Sequence, residues 1–206
     1  HGLLHGSAAQ HSQVVESWFV NLPGVVVAAP ATAADLAGLL RSAIRSDDPV
    51  LLFEPKAFFG RREEVASNEP VPFGRARIAR KGAVVTVVTW AQAIDAALGG
   101  AEIAAREGVL AEVIDLRTLW PWDEEAVAAS LARTGRLLVV QESVAAGGFG
   151  AEIVARMIER LGPAAIRAAR RLGSPRIPVP FAPELEAEVR VTPDAVGQAI
   201  AQAALA

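Results

Sequence analysis

Short apolar runs alternate with amphipathic stretches along most of this chain, and that alternation constrains the fold more than any other feature. Val25–Ala29 reads as a buried strand. Thr32 then caps a helix to about Arg45 with Leu36, Leu39, Leu40 and Ile44 on one stripe, and Val50–Phe53 is the next strand. This is one βαβ unit, and its isolation makes the first domain look cut off on its N-terminal side. Periodicity fails from Glu54 to Gly82, where Pro55, Gly60, Pro70 and Pro72 interrupt a charged stretch. A second alternation follows: strand Ala83–Thr89, helix Ala91–Glu107, strand Val109–Asp115, helix Asp123–Thr134 stopped by Gly135, and strand Leu137–Gln141. Gly147-Gly148-Phe149-Gly150 then leads into a helix to about Leu161, and Ala165–Ala169 reads as a strand. Four prolines between Gly173 and Pro183 call for an extended loop, and Thr192-Pro193 opens the last helix. The class is α/β with a parallel sheet.

Composition narrows what such a chain does. Hydrophobic residues make up 52% of 206, enough for a sizeable core, and the formal net charge of -3 gives no electrostatic reason to expect nucleic acid or an acidic membrane surface. The apolar runs are strand-sized, far short of a membrane span. With no cysteine, disulfides, thiolate catalysis and zinc–thiolate sites are excluded, which fits a cytoplasmic protein. Abundant alanine and arginine with few lysines is the composition of a high-GC bacterial genome. The chain opens on His1 and its one methionine is Met157, so the expectation is a piece of a longer product.

Few residues carry recognisable chemistry. In Gln10-His11-Ser12-Gln13, Ser12 reads as the N-cap of a helix, which would hold His11 at the positive end of a helix dipole, where imidazolium is disfavoured. A proton-handling role suits that placement, and a hydrogen bond to a neighbouring carbonyl is the plainer alternative. His1 and His5 read as loop residues. The turn at Gly147–Gly150 offers free amides for a phosphate, or it is a tight turn needing positive φ or a close backbone approach to a neighbouring subunit, and the dinucleotide and Walker fingerprints are both missing. Asp47-Asp48-Pro49 is a turn with carboxylates that could join carbonyls around a cation. Glu54 and Lys56 flank Pro55 at a strand end, facing a crevice or forming an ion pair. Trp120-Pro121-Trp122 is a rigid aromatic corner suited to a domain edge.

Taken together, several segments resemble one family over essentially the whole chain. They include Gln10–Gln13 with Glu16 and Trp18-Phe19, Leu22-Pro23-Gly24 through Pro30-Ala31-Thr32, Ala43-Ile44-Arg45 with Asp48-Pro49-Val50, Phe53-Glu54-Pro55-Lys56, Val113–Leu119, Gly147–Ile153 and Pro178–Phe181. These are similar to the β subunit of the thiamine-dependent decarboxylase component of 2-oxoacid dehydrogenase complexes, the group of the pyruvate, branched-chain 2-oxoacid and acetoin enzymes. The resemblance implies the end of a parallel-sheet pyrimidine-binding domain (1–60), a linker (61–82) and a transketolase-like C-terminal α/β three-layer domain (83–206). It implies an α₂β₂ heterotetramer with thiamine diphosphate and Mg²⁺ shared with the α subunit, which supplies the diphosphate motif absent here, and docking on a dihydrolipoyl acyltransferase core. The cofactor-activating glutamate is implied to lie upstream of these residues. His11 falls on the family's β-chain active-site histidine, with proton transfer and orientation at the thiamine-bound reacting group as its implied role. A potassium site is implied at Ala43, Ser46 and Asp48, with Ser46 standing where aspartate is usual. Alternatives from other classes are a non-catalytic α/β interaction module and a free-standing nucleotide-binding protein. The acyl specificity is not legible in these residues.

Overall fold

A computed structural model of the chain describes residues 1–3, 6–65 and 67–206. His5 lies outside the described residues. Two sheets organise the rest. In the smaller, β1 (Val26–Ala28) pairs parallel with β2 (Val50–Leu52) around helix α3 (Ala33–Ile44), the βαβ unit read from the sequence. Thr32 caps α3, its hydroxyl accepting from the Asp35 amide at 3.0 Å. The other neighbour of β1 is an antiparallel strand from far along the chain, β6 (Thr118–Trp120).

The larger sheet has the order β3-β5-β4-β7-β8. Its centre is parallel: β4 (Val85–Thr89) between β5 (Ala111–Asp115) and β7 (Arg136–Val144), with β8 (Ala168–Ser174) beyond β7. Every residue of β4 and β5 is buried, as strands covered on both faces require. The covering helices are α4 (Ala93–Arg106) and α8 (Pro193–Ala204) on one face and α5 (Glu124–Thr134) and α6 (Gly150–Leu161) on the other.

The edges depart from the sequence reading. Residues 77–80, placed in the linker, form β3 (Arg77–Arg80), an antiparallel edge strand on β5. Its sequence, Arg-Ile-Ala-Arg, is polar because an edge strand meets water. Strand β8 runs to Ser174 instead of ending near Ala169, and a helix, α7 (Pro183–Val189), starts at the last proline of the expected loop. The Trp-Pro-Trp corner does sit at a domain edge. Trp120 pairs with Val27 of β1, a cis peptide joins it to Pro121, and the Trp122 ring packs edge-on against Phe149 at 6.1 Å. Among the described residues, no helix is long and apolar enough to cross a membrane.

Helices α4 and α8 meet through glycines. A Cβ on Gly100 would lie 2.5 Å from Val196 Cβ and 2.8 Å from the Gly197 amide nitrogen, and one on Gly197 would lie 3.0 Å from Ile103 Cγ2. Gly100→Ala is therefore expected to destabilise by about 2 kcal/mol, although alanine adds roughly 1 kcal/mol of helix propensity at a free position. Thermal melts check this. An unchanged or raised Tm would mean that α8 yields without cost.

Candidate functional site

His11 is the last residue of a four-residue helix, α1 (Ala8–His11), and Ser12 is its C-cap. The sequence expectation is corrected here: Ser12 caps no helix start, and its buried hydroxyl has no hydrogen-bond partner. The next helix, α2 (Glu16–Val20), begins after an uncapped Val15. The N-terminal dipole argument for His11 therefore does not hold. Its imidazole is exposed and makes no hydrogen bond among the described residues, so it is open to a group from outside the chain. Its carbonyl accepts from the Lys56 ammonium. Lys56 thus supports the His11 backbone and forms no ion pair with Glu54.

The groups holding this segment come from the larger sheet and its helices. Glu142, near the end of β7, accepts the Leu3 amide at 3.2 Å. Glu186 of α7 accepts the Gly6 amide at 2.8 Å and pairs with Arg190 at 2.6 Å. On the other side of His11, the fully buried Glu16 accepts from Trp90 Nε1 at 3.0 Å. The Gly2 amide donates to the Gln13 carbonyl at 3.2 Å, closing the segment on itself. Burial pushes Glu16 up from the usual carboxylate range, against the Trp90 hydrogen bond that favours its charged form. Burial pushes Glu142 up to about 7, partly offset by the Leu3 amide and reinforced by the nearby Glu16 charge. His1, read as a loop residue, has a largely buried ring, edge-on to Phe53 at 5.3 Å with Nδ1 3.8 Å from Glu16.

Behind the segment lies a cavity of about 420 Å³. Ala9, Ser12 and Val15 wall it on one side, and Glu142, Gly148 and Pro178 on the other. Its lining is mostly apolar, and Ser12 and Glu142, each with one fully buried side-chain oxygen that has no hydrogen-bond partner among the described residues, contribute to it. The glycine-rich turn at its rim is explained within the chain. Gln141 Oε1 accepts the Gly150 amide at 2.9 Å, its Nε2 donates to the Val144 carbonyl at 3.0 Å, and a Cβ on Gly148 would collide with that amide group. Gly147 adopts φ +73°, which a side chain would strain. The tight turn with positive φ accounts for Gly147, and an approach to Gln141 within the chain accounts for Gly148.

Ala43, Ser46 and Asp48 share a largely exposed turn at the end of α3, where the Ser46 amide donates to the Ala43 carbonyl at 3.2 Å and the Asp48 amide to Ser46 Oγ at 3.1 Å. No cluster of three or more histidines and carboxylates that could hold a metal occurs among the described residues. Against the needs of a thiamine cofactor, these residues offer the exposed imidazole of His11 as a group that could exchange a proton. They do not fit the grip on a diphosphate and its metal.

Two α/β units, the first joined to the second by β6 and by buried acids, define the class. It is the pairing of a pyrimidine-binding domain with the C-terminal domain that follows it in transketolase-like enzymes. Residues 1–60 match the transketolase pyrimidine binding domain and residues 74–196 the transketolase C-terminal domain, and the chain belongs to that family. It is 37% identical over 206 residues to the 2-oxoisovalerate dehydrogenase subunit beta of Bacillus subtilis, covering 98% of this chain and 63% of the relative. It is 39% identical over 183 residues to the mitochondrial pyruvate dehydrogenase E1 component subunit beta of Dictyostelium discoideum, covering 86% and 51%. It is 40% identical over 181 residues to the acetoin:2,6-dichlorophenolindophenol oxidoreductase subunit beta of Cupriavidus necator, covering 87% and 54%. Among solved structures, a split gene transketolase described as an inactive beta4 tetramer superposes with a TM-score of 0.81 at 26% identity, over 96% of this chain and 63% of that one. The chain thus spans between about half and two thirds of the length of these relatives.

Proposed function

We propose that this chain is the C-terminal portion of the β subunit of a thiamine-dependent 2-oxoacid dehydrogenase decarboxylase component, with His11 as its catalytic residue. The carrying observation is the 37% identity over 206 aligned positions, covering 98% of this chain, to a β subunit of that kind. The imidazole of His11, exposed and without a partner among the described residues, supports the assignment of role. When bound, thiamine diphosphate supplies the electron sink that decarboxylation of a 2-oxoacid needs. The contribution of this chain is positional and protonic. Lys56 fixes the His11 backbone through its carbonyl, and the free imidazole nitrogens can take or give a proton at a reacting oxygen brought by the partner.

The same reading assigns an α subunit in an α₂β₂ assembly as the partner that brings the diphosphate and Mg²⁺ site, a dihydrolipoyl acyltransferase as acceptor of the acyl group, and a bacterial cytoplasmic setting. It also places potassium at Ala43, Ser46 and Asp48. Ser46 contributes a hydroxyl there in place of a carboxylate charge, and these are hard oxygen donors of the kind such an ion takes.

The test is reconstitution of the full-length chain with its α subunit and thiamine diphosphate, followed by a panel of pyruvate, branched-chain 2-oxoacids and acetoin. Turnover of one of them by a heterotetramer, seen by native mass spectrometry, is the expected result. A stable assembly that turns over none of the panel would overturn the assignment in favour of an interaction module.

A further inference from the structure

We propose that Glu142 is a positioning residue for His11: with Glu186 and Trp90, it holds the His11 segment in place from the second α/β unit. The proposal rests on the role assigned to His11 above. The geometry is one of ties on both sides of a short stretch. Before His11, Glu142 takes the Leu3 amide at 3.2 Å and Glu186 takes the Gly6 amide at 2.8 Å. After it, Trp90 Nε1 holds the Glu16 carboxylate at 3.0 Å. These partners are distant in sequence, 139, 180 and 74 residues away, so only the docking of the two units brings them together.

Around His11 itself the segment buries little. Helix α1 is four residues long with no buried residue, far below the length at which a helix is stable by itself. Part of it faces the 420 Å³ cavity instead of packed side chains. Its other anchors include the Lys56 contact at the His11 carbonyl, the Gln92 amide donating to the Leu3 carbonyl at 3.4 Å, the Gly2–Gln13 closure and the buried Leu3 and Ser12 side chains. Glu142 is the member of the three ties that borders the cavity, and only one of its two oxygens is engaged. Loss of its acceptor frees the Leu3 amide and lets the segment sag towards the empty volume, displacing the imidazole without touching it. The charged groups facing Glu142 include Glu16 from α2, Arg190 at the end of α7 and the His1 ammonium, so its removal also changes their balance.

The test compares wild type, Glu142→Leu and Glu142→Gln in the full-length chain assembled with its partner subunit. It follows amide hydrogen exchange over residues 2–13 and steady-state turnover. Leucine removes the acceptor; glutamine keeps an oxygen for the Leu3 amide. The expected result is faster exchange in 2–13 with β4 and β5 unchanged, and kcat down about ten- to a hundredfold at an unaltered KM for leucine. Glutamine is expected to restore both. Wild-type exchange and kcat in the leucine variant would overturn the proposal, as would a folded glutamine variant that restores neither. Should leucine fail to fold, Glu142→Asp withdraws the acceptor by one methylene and gives the same readings, and wild-type exchange with wild-type kcat there overturns the ties. The exchange measurement needs no substrate. A wild type that turns over neither a 2-oxoacid nor acetoin overturns the function proposed above, while the exchange difference still decides the ties.

Discussion

His11→Ala in the full-length chain, assembled with its partner, is expected to lower turnover on the order of 10²–10⁴-fold, the range typical of a lost general acid or base. The imidazole is exposed and has no partner among the described residues, so its removal takes nothing from the core. The stability change should stay within about 0.5 kcal/mol, as for other surface sites. That separation makes the experiment decisive. Unchanged melting and unchanged assembly beside a collapsed kcat place the loss in the chemistry. A variant with wild-type turnover would remove His11 from the reaction altogether. Intermediate loss together with a raised KM would point to ground-state binding by His11 and away from proton transfer.

Much of the scaffold was legible because burial leaves a one-dimensional trace. Val85–Thr89, Ala111–Asp115 and Leu137–Val140 are buried throughout, and their β-branched and aliphatic residues mark them as strands even where Thr86, Thr89, Glu112 and Asp115 interrupt the apolar run. Thr32, Thr192 and Gly135 announced helix ends through local chemistry, and each does that work in the structure. Where long-range contacts decide the conformation, the trace disappears. Strand β3 is polar and became a strand only because β5 offered an open edge. Strand β6 is three residues before a proline, and it exists because β1 needed a partner. The Ser12 cap failed for a related reason: the His11 segment is shaped by Glu142, Glu186 and Trp90 from across the fold, not by its own helix propensity.

The proposed site drew on two different kinds of signal. His11 came from its place in a recognisable motif, which needs no contact information. The acids around it did not. A glutamate such as Glu142 in Val-Val-Gln-Glu-Ser carries one weak sign of its state, a charge at the end of an apolar run, yet it is 8% exposed. Its partner Leu3 can be found only once the two units are docked.

The second large effect concerns the ionic seam between those units. Arg77 of β3 donates from Nη2 to Asp115 of β5 at 2.9 Å and places Nε 3.4 Å from Asp35 of α3. Arg117 reaches Asp35 from the other side, Nε to Oδ1 at 3.4 Å, and its amide donates to Asp115 at 3.2 Å. Asp115 is fully buried, and burial outweighs Arg77 to push its carboxyl up to about 6 from an ordinary 3.8. Arg77→Met keeps the stem and removes the guanidinium, leaving Asp115 with only a backbone donor. The variant can shed the stranded charge by keeping Asp115 protonated, so the expected loss is about 1.4 kcal/mol for each pH unit above the wild-type value of about 6, or about 1–2 kcal/mol at neutral pH. The folded carboxyl is raised above its unfolded value, so its share of stability is fully present below 3.8 and lost as pH rises through about 6. Removing Arg77 takes away a group that favours the charged form and raises that folded value further. The gap between variant and wild type should therefore be small near about pH 4, where Asp115 is protonated in both, and widen towards about pH 8. Denaturant melts across that range measure it, and a gap independent of pH would show that the loss comes from packing of the arginine stem. Adding Asp115→Asn to Arg77→Met should recover most of the loss at the upper end, because the stranded charge goes with its partner.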